Sequence, residues 1–366
     1  MSDTAFKNTI SPDVAIDLGE RLKAVAPEFD LKGYKKEALR DLETLELKAR
    51  VIQVADALAA HFDDYASVVN AILKSFSSVS DPNTDAVSRG MIYWPYLTVV
   101  ERHGLNDYAR SLDALHALTC HWSAEFAIRP FLDADRDAVE PYLKKWTTDS
   151  SEHVRRLVSE GSRPLLPWGI RLNGIKDDPK WSVDLLKPLR DDPSEYVRRS
   201  VANHLNDISK HHPEVVTGVG KRWMKGASRD RERLVKHALR TLFKKGDADA
   251  LSIFGFEPPK VTLETLTCTP VVTSTVPAEF SVVLSAESSG KWMVDYAIHY
   301  VKANGKTSPK VFKWFTVEPQ KGDRIERTKT QSFKTVSTRK HYEGVHEVEI
   351  FVNGLSVGSQ PFAFEP

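Results

Sequence analysis

Residues 150–172 read SSEHVRRLVSEGSRPLLPWGIRL, and residues 194–216 read SEYVRRSVANHLNDISKHHPEVV. Ser151-Glu152-His153-Val154-Arg155-Arg156 in the first corresponds to Ser194-Glu195-Tyr196-Val197-Arg198-Arg199 in the second, 43 residues on. A third helical run, Arg233 to Arg240, places Val235 a further 38 residues along. In such a phrase an Asp or Ser caps the helix. The Val packs inward, and the paired Arg project from the inner side or its rim.

A period of roughly 40–47 residues, two helices to a unit, is that of HEAT or armadillo repeats. One unit cannot bury its own apolar face, so neighbours must stack into a curved solenoid. The rest of the N-terminal region agrees. Ser11-Pro12 is a helix start, with an N-cap followed by Pro at N1. Leu18, Leu22 and Val25 share one face, as do Leu47, Val51, Val54 and Leu58.

The pattern changes at Pro258-Pro259. Phe280, Val282, Leu284 and Ala286 alternate with small or polar residues, and Val294, Tyr296, Ile298 and Tyr300 alternate with Met293, Asp295, Ala297 and His299. Asn304-Gly305 and Asn353-Gly354 read as tight turns. A multidomain chain is expected: an all-α HEAT-like repeat solenoid over residues 1–257, then an all-β immunoglobulin-like sandwich over 260–366. The two cysteines, Cys120 and Cys268, are far apart, so the sandwich must hold without a disulfide.

The chain has 366 residues and a net charge of +1. That neutrality is uneven. Residues 1–150 carry −7, residues 151–245 carry +9 and residues 246–366 carry −1. A basic block in a neutral protein suits a polyanion, or is a solvated helix face. No apolar run is long enough to span a bilayer, and the first residues do not resemble a secretory signal. Two lone cysteines suit a reducing cytoplasm. No phosphate-binding loop, nucleophile elbow or zinc-protease motif occurs. His211-His212, followed by Pro213, reads as a loop or helix end, so neither metal nor cofactor is expected.

Three segments carry a family resemblance: HWSAEFAIRPFL at 121–132 and the two stretches quoted first. Glu160-Gly161-Ser162-Arg163-Pro164 with Pro167-Trp168 is unusual for generic repeats. Over residues 5–255 the chain resembles the AlkC branch of the HEAT-like DNA alkylation repair glycosylases, some of which carry a trailing immunoglobulin-like domain. The resemblance implies a monofunctional enzyme that excises 3-methyladenine, 3-methylcytosine and 1-methyladenine from double-stranded alkylated DNA. It also implies that the lesion stays stacked, consistent with the lack of an obvious base-sized aromatic cage. A cytoplasmic monomer, on the nucleoid when bound to DNA, is expected. The alternative is a non-catalytic repeat scaffold for DNA or protein.

A cationic base is already a good leaving group. The enzyme must stabilise the oxocarbenium character of the deoxyribose and position water, which calls for carboxylates. Glu125 and Glu160, 35 residues apart, match the acidic positions of the family motifs and are expected on the inner faces of adjacent helices. Without the resemblance they read as ordinary pairs with Arg129, Arg156 and Arg163. Trp168 is either an aromatic wall beside the sugar or a core residue closing a loop. His121 and Trp122 are expected in the same cleft. Arg155, Arg156, Arg198 and Arg199 read as phosphate clamps or as solvated or acid-paired Arg. Arg163 is placed near the lesion. Lys221, Arg222, Lys225, Arg229, Arg231 and Arg233 are expected at phosphates. Lys302, Lys306, Lys310 and Lys313 mark the β-domain as a DNA clamp or a packing module.

Overall fold

The structure, a computed structural model, describes residues 6–76, 90–334 and 340–366. Helices follow in the order α1 (Pro12–Val25), α2 (Leu31–Ala38), α3 (Leu47–Ala60), α4 (Tyr65–Phe76), α5 (Trp94–His103), α6 (Tyr108–Leu118), α7 (Arg129–Ala134) and α8 (Arg136–Trp146). They continue as α9 (Glu152–Gly161), α10 (Asn173–Asp177), α11 (Pro179–Leu186), α12 (Glu195–Ile208), α13 (Pro213–Trp223), α14 (Arg229–Ala238), α15 (Arg240–Lys244) and α16 (Ala248–Ser252). The strands are β1 (Val261–Cys268), β2 (Val271–Val272), β3 (Ala278–Ala286), β4 (Trp292–Val301), β5 (Thr307–Val317), β6 (Arg324–Gln331), β7 (Gly344–Val352) and β8 (Leu355–Phe364). Among the described residues no helix is long and apolar enough to cross a membrane.

Helix starts follow the local chemistry. Ser11 accepts from the Val14 N–H at 3.2 Å, with Pro12 at N1. The two Ser-Glu-aromatic-Val-Arg-Arg helices begin differently from the capping expected. Ser151 and Ser194 are the N-cap residues but make no side-chain cap. Instead Asp149 accepts from the Ser151 N–H at 2.8 Å, and Asp192 from the Ser194 N–H at 2.9 Å. The aspartate shapes the entering turn, not the first helical turn.

Packing confirms the repeat. α9 lies on α12, and α12 on α14, with Val154, Val197 and Val235 buried between them. The first Arg of each pair ties one unit to the next. Arg155 reaches Asp192 at 2.6 and 3.0 Å, and Arg198 reaches Asp230 at 3.1 Å. Their remaining N–H groups bind carbonyls of the entering turns, Asp149 and Ser150 for Arg155, Asp192 and Pro193 for Arg198. Deeper in the same seam, Ser159 donates to Ser200 at 2.6 Å. His204 is fully buried and must donate its Nδ1–H to the Ser159 carbonyl, 2.9 Å away. Burial pushes its pKa down to about 4.

The β-region forms a three-stranded sheet, β1-β3-β6, and a five-stranded sheet, β2-β8-β7-β4-β5. Phe280, Val282 and Leu284 of the first meet Val294, Tyr296, Ile298, Val348 and Ile350 of the second in one apolar core. Pairing is antiparallel except for β2 beside β8. Asn353 and Gly354 both have positive φ, as a tight β7-β8 hairpin requires. Cys120 and Cys268 are free thiols. β4 departs from simple alternation, because residues 292–298 are buried on both faces.

The element type changes at Pro258-Pro259, but the packing changes earlier. Two compact units form: residues 1–215 with 228–238, and residues 216–227 with 239–366. Within the second unit the helical residues are tied closely to the strands. A Cβ on Gly354 would lie 2.2 Å from the Cα of Gly246. The Asn353 amide donates to the carbonyls of Glu257 and Lys291 at 2.6 and 2.8 Å, and Lys291 donates to the Phe254 carbonyl at 3.2 Å.

Two stability predictions result. Asp192→Ala leaves Arg155 half-buried without its carboxylate, and should cost about 3 kcal/mol in denaturant unfolding; Arg199→Ala, at an exposed pair, should cost less than about 0.5 kcal/mol. His204 has a folded pKa below its ordinary 6.5. As pH falls, the unfolded chain therefore takes up this proton first. The contribution is complete above about pH 6.5 and is lost as pH falls toward about 4. Thermal unfolding at about pH 7 and about pH 4.5 should show a steeper loss for the native chain than for His204→Gln; equal losses would show that this group does not titrate as described.

Candidate active site

Glu125 and Glu160 arrive by different routes. Glu160 lies in the last turn of α9 and is buried. Glu125 is not helical, contrary to the expectation of two facing helices. Pro130 fixes the start of α7, leaving Glu125 in the run of turns just before it.

One guanidinium draws them together. Arg156 Nη1 lies 2.9 Å from Glu125 Oε2, and its Nη2 lies 3.8 Å from Glu160 Oε1. The guanidinium also sits over the Tyr196 ring at 4.6 Å and donates to Ser123 Oγ at 2.9 Å. Ser123 in turn donates to Glu125 Oε2 at 3.0 Å. Burial opposes the charge on Arg156, but Glu160 and Glu125 outweigh it and hold its pKa up.

Glu160 is more tightly held than Glu125. Its Oε1 accepts from Arg163 at 2.6 Å and its Oε2 from Ser200 at 2.6 Å. Arg163 is fixed from behind by Asp207 at 2.9 Å, and Asp207 also meets Lys210 at 3.1 Å. On Arg163, too, burial is outweighed, here by Asp207 and Glu160, and the pKa is raised. Glu125, by contrast, has both partners on Oε2, and Oε1 meets no protein donor among the described residues. The site thus has one immobilised carboxylate and one with an open oxygen.

Arg129 does not pair with Glu125. It is fully buried and donates to the carbonyls of Gly161 and Arg163, at 2.8 Å each, and of Ile170. Burial, and then the neighbouring Arg163 charge, lower its pKa to about 10. The loop it fastens carries Trp168. That residue is 62% exposed, so it is not a core tryptophan, and it holds a positive φ of 67°. Its carbonyl accepts from Lys48, and Phe6 meets its ring edge-on.

The other expected residues separate. Arg163, expected near the lesion, is held between Glu160 and Asp207. Arg155 and Arg198 are joints between repeats and Arg156 is engaged with carboxylates, the acid-paired one of the two readings open for them. The reason is rotation: neighbours on a helix point about 100° apart, so an Arg-Arg pair serves two surfaces. Arg199 is exposed, beside Glu195 at 3.0 Å. Arg222, Lys225 and Arg229 are exposed, while Lys221, Arg231 and Arg233 pair with Asp249, Asp191 and Asp230. Lys302, Lys306, Lys310 and Lys313 are exposed. His121 stacks on Phe76 at 4.1 Å and meets Tyr93 edge-on, and Trp122 packs over Gly90.

Sequence reading missed Ser123, Tyr196, Ser200 and Asp207. It also found no aromatic cage, yet Trp94 and Phe126 stack at 5.5 Å beside Trp168 in one pocket. Those rings come from three distant segments, so no local signal announces them.

Residues 262–366 match the family model described as "Uncharacterised protein YhaZ, C-terminal Ig-like domain". Over 356 residues, 95% of this chain and 96% of that protein, the sequence is 36% identical to uncharacterized protein YhaZ of Bacillus subtilis (strain 168). The fold matches that of Pseudomonas fluorescens alkylpurine DNA glycosylase AlkC bound to DNA containing an abasic site analog. That match has a TM-score of 0.87 and 35% identity, covering 99% of this chain and 100% of that one. With full-length likeness at that identity, the chain belongs to the AlkC-type family of HEAT-like repeat DNA glycosylases that end in an immunoglobulin-like domain.

Proposed function

We propose that this protein is a monofunctional DNA glycosylase that excises cationic N-alkylated bases from double-stranded DNA. The substrates we assign are 3-methyladenine, 3-methylcytosine and 1-methyladenine. The protein acts as a cytoplasmic monomer on alkylated duplexes. The observation that carries the reading is the shared guanidinium of Arg156, which holds two carboxylates together. The solved relative is bound to DNA with an abasic site analog, the kind of site that base removal leaves.

The chemistry is a heterolysis. The C1′–N bond breaks, its electron pair leaves with the base, and the base becomes neutral. Positive charge develops on the deoxyribose, and water then attacks C1′ and releases a proton. Glu160, with both oxygens satisfied, is suited to fixed electrostatic stabilisation of the sugar cation. Glu125, with one open oxygen, is suited to orienting the water and receiving its proton. Carboxylates that address the sugar can act while the base remains stacked, which supports removal without extrusion. Trp168 stands at the sugar edge, and Arg199, Arg222, Lys225 and Arg229 supply exposed positive charge for phosphates. The lysines around Asn304-Gly305 give the β-domain a surface for the same backbone.

Release of 3-methyladenine from alkylated duplex DNA tests the reading. Glu125→Gln and Glu160→Gln should each slow release about 100-fold or more while DNA binding persists. Binding by the native chain without release would leave a repeat scaffold as the function. Asp207→Asn, which loosens Arg163 behind Glu160, should slow release about tenfold without changing affinity for undamaged DNA. Arg199→Ala should weaken binding to damaged and undamaged duplexes alike, and lower the salt-dependence slope by about 1; a loss confined to lesion DNA would place Arg199 at the lesion.

A further inference from the structure

Beside Glu125 the first unit contains a second recess that the carboxylate chemistry does not use. It has a volume of about 160 Å³, and a cavity of about 150 Å³ is enough to enclose one aromatic ring. Its walls are aromatic: Trp94 and Phe126, stacked with 23° between planes, and Trp168. Phe126 directly follows Glu125 in the chain, so the recess and the carboxylate share one turn.

Polar groups converge on it. Lys48, Thr98 and Glu101 line the space. The Thr98 hydroxyl is buried and has no hydrogen-bond partner among the described residues. Glu101 accepts no hydrogen bond from a described residue, and burial raises its pKa. The neighbouring Arg102 is already neutralised by Asp56, at 2.7 and 3.0 Å. One cation and one anion therefore remain beside the apolar walls, a balance that favours a neutral ligand with both donor and acceptor edges.

The rim is apolar and exposed: Ile52 at 38%, Ile170 at 48% and Trp168 at 62%. Trp168 is held in its positive-φ conformation with its carbonyl on Lys48. A bulky residue kept in a rarely populated backbone region, beside unsatisfied polar groups, is characteristic of a ligand site.

We propose that this recess binds the free methylated purine that leaves when the glycosidic bond breaks, an inference that rests on the glycosylase reading above. The departing base is planar, neutral once it carries the bond's electron pair, and bears ring nitrogens and an amino group. One ring packs against the Trp94–Phe126 stack beneath Trp168, and the donors and acceptors of its edge meet Glu101, Thr98 and Lys48. Holding the base there separates it from the sugar cation and disfavours recombination.

The test uses the full-length protein without DNA and 3-methyladenine as the probe, followed by calorimetry and tryptophan fluorescence. Saturable binding is expected, with affinity reduced about tenfold in Thr98→Val and in Glu101→Gln. Ile52→Trp, at an exposed rim position, closes the mouth without disturbing a core and should abolish binding while the melting temperature is unchanged. Added 3-methyladenine should inhibit base release by the native enzyme and not by Ile52→Trp. No saturable binding, or binding unaffected by Ile52→Trp, overturns the proposal even if base release is normal. Equal affinity for unmethylated adenine, or tighter binding of the nucleoside isostere 3-deaza-3-methyl-2′-deoxyadenosine, also overturns it, since the recess would then serve another ligand. Failure of the glycosylase reading is a separate result: no base release from alkylated duplex at all.

Discussion

A buried guanidinium surrounded by carbonyls organises this molecule's working face. Arg129 brings a full charge into the interior and satisfies it with main-chain oxygens of Gly161, Arg163 and Ile170. Those oxygens lie at and beyond the end of α9, where carbonyls have no helical partner and the helix dipole favours a cation. The loop is thereby fixed at both ends, and the side chains it bears are fixed with it: Arg163 toward Glu160, and Trp168 outward.

From there the charges alternate inward and outward. Asp207 holds Arg163, Arg163 holds Glu160, and Arg156 lies between Glu160 and Glu125. Each group is desolvated, and each would be unfavourable alone. Together they form a network whose members are costly to remove singly. Such a network is weak evidence for stability. It is better suited to holding a negative oxygen at a fixed place before any substrate arrives, which is what catalysis of charge development requires.

The repeat was legible because its signal is local. A Val followed by two Arg recurs in the linear order at an offset of 43 residues, with Val235 of a third helical run 38 residues further on, and the strands declared themselves by alternation and by Asn-Gly turns. Glu125 and Glu160 were legible only through family resemblance; periodicity alone would have left them as surface ion pairs. Asp207 and Ser200 were not legible. Their roles arise where α12 meets α9 and the turn after it, with partners 40 and 44 residues away in the chain, and nothing near either residue marks it. For Arg156 the string left phosphate and acid pairing both open, since adjacent Arg residues look equivalent in a string and face different neighbours on a helix. Helices end at Ser252 and strands begin at Val261, whereas the packing divides earlier, with Gly246 lying against Gly354 in one unit.

The joint between Arg155 and Asp192 has a bearing on descent. Its two members belong to successive units, so a unit duplicated or lost by recombination carries only half of each joint. New copies assemble only if the incoming half matches the resident one, and Arg198 with Asp230 shows the same match one unit along. A drifting lineage can change either position only by passing through an unpaired charge. A copy that brings both its own Asp and its own Arg meets matching halves on either side, so the number of units is easier to alter than either member of a joint.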